Sequence, residues 1–213
     1  VPTPFLVDDT VARVVRPAVL WWGGATVTAS ASGLGAVIDT VVAAVVAAPP
    51  ADTGVVREMY RRIGLDPTKT RPSNEALLRR VRRGDPFPRV NALVDAVNLC
   101  SLECQLPYGV YDRAAVEGDI TLRLGRDGEA YDGIRKDTVH VAGRLTVADA
   151  RGPFGNPTSD SARAMVTPST RDALVVVYAP EPTPRDRLRA VLDRTAAVIA
   201  GAVGGHEQDR WIA

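Results

Sequence analysis

Histidine and cysteine are scarce in this 213-residue chain, which has two of each. A structural zinc site takes four thiolate or imidazole ligands at short spacings. His140 and His206 lie far from one another and from Cys100 and Cys104, so no metal site and no other cofactor is expected. The two cysteines, four apart, would share one helix face as small core side chains. Nothing here makes a disulfide framework, and a reducing, cytoplasmic setting follows. The longest apolar run, Leu34 to Ala48, is interrupted by Asp39 and falls short of a membrane span. No basic-plus-apolar leader opens the chain. A net charge of +1, from 26 basic and 25 acidic residues, excludes a chain-wide polybasic binder, and no DNA partner is expected. Also missing are a Gly-x-Ser-x-Gly elbow, a phosphate loop ending in Gly-Lys-Ser/Thr and a dinucleotide fingerprint.

What is present is 46% hydrophobic and patterned for an α+β protein. Short β-like pieces, Val11–Val15 and Ala18–Trp22, are separated by Pro17. An Ala/Val-rich stretch from Gly33 to Ala48 predicts a buried helix ended by Pro49–Pro50. Further helices are expected over Thr53–Ile63 and Asn74–Arg83, the latter with Ser73 as cap and Glu75 in its first turn. From Pro88 to about Cys104, Val90, Leu93, Val94, Val97, Ser101 and Cys104 recur at helical spacing. Asn91, Asp95 and Asn98 form an adjacent polar edge. Strands are expected at Val110–Asp112, Ile120–Leu124, Thr138–Val141, Arg144–Val147, Ala162–Thr167 and Ala173–Tyr178. Pro184 starts a last helix to about Ala202, and the tail beyond it reads as loosely held.

The balanced charge is unevenly spread. Gly54–Asn91 holds ten basic and four acidic residues, a net +6 that leaves −5 for the rest. Arg79, Arg80, Arg82 and Arg83 fall within about one and a half helical turns and cannot all be buried. Only Lys69 and Lys136 are lysines, so this charge is guanidinium, whose planar fork suits phosphate. A solvated helix face is the other reading of the same residues. The densest polar cluster, Gly152 to Ser161 followed by Arg163, is longer than a hairpin needs. It can be a binding loop on a rigid scaffold or an Asx- and Pro-stabilised turn system.

Three stretches together resemble a known family. They are Arg71-Pro72-Ser73-Asn74-Glu75-Ala76-Leu77-Leu78-Arg79-Arg80; Leu93-Val94-Asp95-Ala96-Val97-Asn98 with Leu106-Pro107-Tyr108-Gly109-Val110-Tyr111-Asp112; and Asp149 to Thr170. The sequence is similar to a free-standing B3/B4 domain, the editing module of the phenylalanyl-tRNA synthetase beta chain, over roughly residues 55–180. In the synthetase this domain hydrolyses tyrosine wrongly esterified to the phenylalanine tRNA. Solo relatives act in trans on other mischarged tRNAs, including canavanine on the arginine tRNA.

The resemblance implies a single domain over 1–213, with a mixed, barrel-like β core dressed by helices and completed by 1–54 and 181–213. It implies a trans-acting aminoacyl-tRNA deacylase, or a tRNA-binding module that has lost hydrolysis. Asn98 stands at the pocket asparagine, and Gly109 stands where embedded domains have a histidine. The segment carrying the embedded domains' pocket glutamate falls near Asp160–Arg163, where no glutamate occurs. Asn98, Ser159, Asp160 and Ser161 are therefore the expected catalytic groups. Tyr108, Gly109, Asp112, Asn156, Thr158 and Arg163 are the expected substrate contacts. Arg71, Arg79, Arg80, Arg82 and Arg83 are expected to hold tRNA phosphates.

Overall fold

A computed structural model describes residues 3–49, 52–134 and 137–213; Pro50 and Lys136 lie outside them. The centre of the protein is built from the two most apolar strand sequences. β2 (Val15–Gly23) and β9 (Ala173–Pro180) are buried on both faces, so they read as continuous runs rather than alternating ones. They are the inner pair of an antiparallel sheet in the order β10-β2-β9-β3, with β3 at Tyr108–Asp112 and β10 at His206–Ile212. Pro17 does not divide β2. Opposite it, Tyr178 donates its N–H to Pro107 at 2.9 Å, on the side away from Pro17. The proline therefore interrupts no bond between β2 and β9, and its carbonyl accepts from Ala213 where β10 ends.

The second sheet runs β1-β4-β7-β8, from Phe5–Val7, Ile120–Leu124, Leu145–Asp149 and Gly152–Gly155. Its β1–β4 pair is parallel and the others antiparallel, so the sheet is mixed. β5 (Ala130–Asp132) and β6 (Thr138–His140) form a separate ribbon. The sheets do not close into a barrel. They meet where the Tyr111 ring of β3 stands edge-on to Phe154 of β8, centroids 4.9 Å apart. One continuous core takes side chains from Phe5 through Val203.

Helices α2 (Leu34–Ala47), α3 (Gly54–Arg62), α4 (Ser73–Arg82), α5 (Ala92–Cys104) and α6 (Arg185–Val203) dress the sheets. Within α5, Leu93, Leu99 and Leu102 are fully buried, and the helix starts at Ala92 because Asn91 caps it by accepting from the Val94 N–H at 3.0 Å. Val90, expected on its packed face, lies before the cap and is exposed. Among the described residues no helix is long and apolar enough to cross a membrane.

Several expectations need correction. Val11 lies in a single helical turn, α1 (Asp9–Ala12), because the Asp8 carboxylate accepts from the Thr10 N–H at 2.9 Å; local capping outweighs the β propensity of valine. α2 is buried only along Leu34, Ile38 and Val41, leaving Val37 and Val46 exposed. Ala162–Thr167 forms no strand; the Ala162 N–H goes to Asp132 and the segment is bends and turns. The tail is not loose, since Gly204 and Gly205 adopt positive φ, turn the chain back, and let β10 pair with β2.

Candidate functional site

The loop after β8 is a braced turn. The Asn156 Oδ1 accepts from the N–H groups of Thr158 and Ser159, both at 2.8 Å, and its Nδ2 donates to the Tyr131 hydroxyl at 2.8 Å. Tyr131 in turn donates to the Ser159 carbonyl. Tyr60 reaches the same loop from α3, with its hydroxyl 3.1 Å from the Thr158 Oγ1 and 3.2 Å from the Pro157 carbonyl. Thr146 fixes the loop's base by donating to Gly155 at 2.7 Å. The turn reading and the binding reading of this cluster are thus compatible: a stiff turn presents its remaining groups to a cavity.

That cavity measures about 220 Å³ and is lined by Asn156, Thr158, Ser159 and Asp160 from the loop, Asn98 from α5, Tyr108 from β3, Ser73 from α4 and Ile134 after β5. Six expected site residues therefore converge on it from three elements far apart in sequence. Asn98 is half-buried, and its side chain makes no hydrogen bond to another described residue. The Tyr108 ring forms wall, while its hydroxyl is engaged 3.0 Å from the Thr195 Oγ1, which leaves Tyr108 a shape-defining contact rather than a proton carrier.

Behind the loop lies a layer of phenols. The Tyr111 and Tyr178 hydroxyls are 2.8 Å apart and fully buried. Tyr111, Tyr131 and Tyr178 are all held protonated, by burial first and then by the negative field of Asp160. Gly109 does not line the cavity; its missing side chain makes room for the Tyr111 ring. The space that a side chain at residue 109 would take is therefore filled by the chain's own phenol.

One expected catalytic group, Ser161, and two expected substrate contacts, Asp112 and Arg163, are engaged within the scaffold instead. Ser161 is buried and accepts from the Ala164 N–H. Asp112 caps a short 3₁₀ turn at Arg113–Ala115 and accepts from Thr170 at 2.7 Å. Arg163 clamps Asp149 in a bidentate pair at 2.9 and 3.0 Å and covers the Phe154 ring at 5.5 Å. Sequence alone cannot separate such roles, because hydroxyl, carboxylate and guanidinium serve both.

The arginines also divide. Arg82 donates to the carbonyls of Val45, Ala48 and Pro49 at 3.3, 3.0 and 2.7 Å, closing the C-terminus of α2, where cationic groups are favoured. Arg71 is half-buried beside Glu75 at 3.5 Å. Arg79, Arg80 and Arg83 remain exposed on the later turns of α4, the helix whose first residue, Ser73, lines the cavity. Ser73, which sequence reading assigned to capping, lines the cavity; the cap position belongs to Pro72, whose ring has no hydrogen-bonding group to offer. Cys100 is buried, its thiol pushed up to about 12 by burial, so the cysteine pair is core as expected. Among the described residues no group of three or more His, Cys, Asp or Glu side chains gathers to hold a metal.

A family model described as a B3/4 domain matches residues 55–200. Similar curated proteins are beta subunits of phenylalanine--tRNA ligase. That of Paramagnetospirillum magneticum is 42% identical over 65 residues, 30% of this chain and 8% of that protein. That of Pseudomonas syringae pv. syringae is 29% identical over 168 residues, 76% of this chain and 18% of that protein. The chain thus spans less than a fifth of the relatives it matches. In fold it is similar to an N-terminal fragment of the phenylalanyl-tRNA synthetase beta-subunit from Pyrococcus horikoshii, with TM-score 0.50 and 9% identity over 99% of this chain and 54% of that one.

Proposed function

The chain belongs to the B3/4 domain family, and we propose that it hydrolyses the ester of a mischarged aminoacyl-tRNA, acting in trans. The observation that carries this reading is the convergence of Asn98, Tyr108, Asn156, Thr158, Ser159 and Asp160 on one braced cavity. An aminoacyl ester is already activated, so its hydrolysis asks for placement of the carbonyl, donors for the developing oxyanion and a held water. The Asn98 amide supplies a donor, while Ser159 and Asp160 on the loop wall hold and orient the water. The water oxygen bonds to the carbonyl carbon as the carbonyl π pair moves onto oxygen. Collapse returns that pair and expels the ribose oxygen. One proton of the water ends on the ribose hydroxyl and the other passes to solvent, leaving the amino acid as a carboxylate.

Asn98→Ala is expected to lower kcat/KM for deacylation on the order of 10²-fold, as loss of one oxyanion donor does. Release of labelled amino acid from a panel of mischarged tRNAs, canavanyl-tRNA included, measures it. Failure of the wild-type protein to release any amino acid across that panel sinks the deacylase reading. It would leave the alternative, a tRNA-binding module without hydrolysis, which the filled position beside Gly109 favours.

For the tRNA partner, the exposed Arg79, Arg80 and Arg83 are the phosphate contacts. Replacing all three with alanine is expected to weaken tRNA binding and to flatten its log–log salt dependence by about two to three units. Arg82→Ala should instead lower stability with little change in that slope. An unchanged slope in the triple variant removes α4 as the tRNA surface.

A further inference from the structure

The hydroxyl of Ser73 is buried and finds no hydrogen-bond partner, although the Thr158 and Ser159 N–H groups of the neighbouring loop are both engaged by Asn156. It does not cap α4, since the cap position is Pro72 and the Ser73 backbone N–H already points at the Pro157 carbonyl, 3.4 Å away. A buried hydroxyl that loses water and gains nothing is a cost to the fold. Ser73 is one of the residues lining the same cavity as Asn98.

We propose that Ser73 is a catalytic residue of this site, donating its hydroxyl alongside the Asn98 amide to the carbonyl oxygen of the ester as that oxygen becomes negative. The assignment rests on the deacylase reading above. Two side chains that can donate, Ser73 from α4 and Asn98 from α5, line the cavity together with the loop. Negative charge growing on the substrate is accommodated where such donors point. The first turn of α4 adds to this preference, because unpaired N–H groups give a helix N-terminus positive potential. Its one acid, Glu75, is neutralised by Arg57, whose Nε lies 2.8 Å from the carboxylate, and by Arg71. The electrons follow the path already described. The carbonyl π pair rests on oxygen between the two donors, and no bond to Ser73 forms or breaks.

The test compares Ser73→Ala and Ser73→Thr with wild type on the aminoacyl-tRNA that wild type hydrolyses fastest. Ser73→Ala is expected to reduce kcat on the order of 10²-fold. KM should stay within about twofold, since the contact strengthens only in the transition state. Ser73→Thr, which keeps the hydroxyl, restores most of the rate. Melting of Ser73→Ala should equal or exceed wild type, since removing an unpartnered buried hydroxyl relieves a cost to the fold. Unchanged kcat in Ser73→Ala, or a raised KM with kcat intact, overturns the assignment while leaving the deacylase reading in place. A wild type that hydrolyses no ester overturns both together.

Discussion

Replacing Arg163 with alanine is expected to cost about 3–5 kcal/mol of stability, the range found when one partner of a buried ion pair is removed. The Asp149 side chain is fully buried, and its four acceptor contacts are all used. Two go to the Arg163 fork, one to the Glu117 N–H at 2.9 Å and one to the Arg151 N–H at 2.9 Å. Burial alone would raise its pKa. Hydrogen bonding and charge from Arg163, with the two amides, outweigh that and hold the carboxyl below the usual range. The sign of the pH dependence follows. A depressed folded-state pKa contributes stability above the unfolded value of about 3.9, and that contribution is lost as pH falls through the folded value. The deficit of Arg163→Ala is therefore largest at neutral pH and narrows below about pH 4. Thermal melting at pH 7 should fall by roughly 10 °C for a chain of this size. Equal melting temperatures for the two proteins at pH 7 would refute the structural role of the pair.

Gly109→Ala is expected to destabilise by about 3 kcal/mol or more, through overpacking and loss of a buried hydrogen bond. The added methyl would overlap the Tyr111 hydroxyl and stand 2.6 Å from its Cζ and 2.8 Å from its Cε2. The phenol has nowhere to go. Gly155 closes the other side, where a methyl would stand 2.5 Å from Cε1, and Phe154 stands edge-on. Because Tyr111 backs the loop that carries Ser159 and Asp160, deacylation should fall with stability. Combining Gly109→Ala with Tyr111→Leu should cost less than the two separate losses added, since the smaller side chain frees the contested space. Full additivity in urea melts would mean that the two positions do not compete.

The helices were legible where period and punctuation agreed: α4 between Pro72 and Gly84, α6 after Pro184, α5 through its leucines and valines. β2 and β9 were legible from their apolar runs. β1 and β10 were not, since β1 has three residues and β10 is mostly charged or polar; each exists because a neighbouring strand offers an edge. Ala162–Thr167 looked like a strand by composition but has no such edge. In the site, the Asn156–Asp160 cluster stood out because turn formers of that density need a purpose. Arg163, Asp112 and Ser161 looked equally chemical, and only their partners, up to 58 residues away, show them to be scaffold. Ser73 was hidden by the reverse ambiguity, a residue type that also caps helices.

On the proposed tRNA reading, α4 also sets a length. At 1.5 Å per residue, the rise from Ser73 to Arg79 and Arg80 is about 10 Å, and to Arg83 about 15 Å. A stacked nucleic-acid strand advances about 3.4 Å per nucleotide. A strand laid along this helix with its last residue in the cavity therefore meets its first arginine about three nucleotides in and its last between four and five. Lengthening α4 by one turn would leave every charge and every cavity side chain unchanged in kind, yet move them out of step with one another by more than one nucleotide.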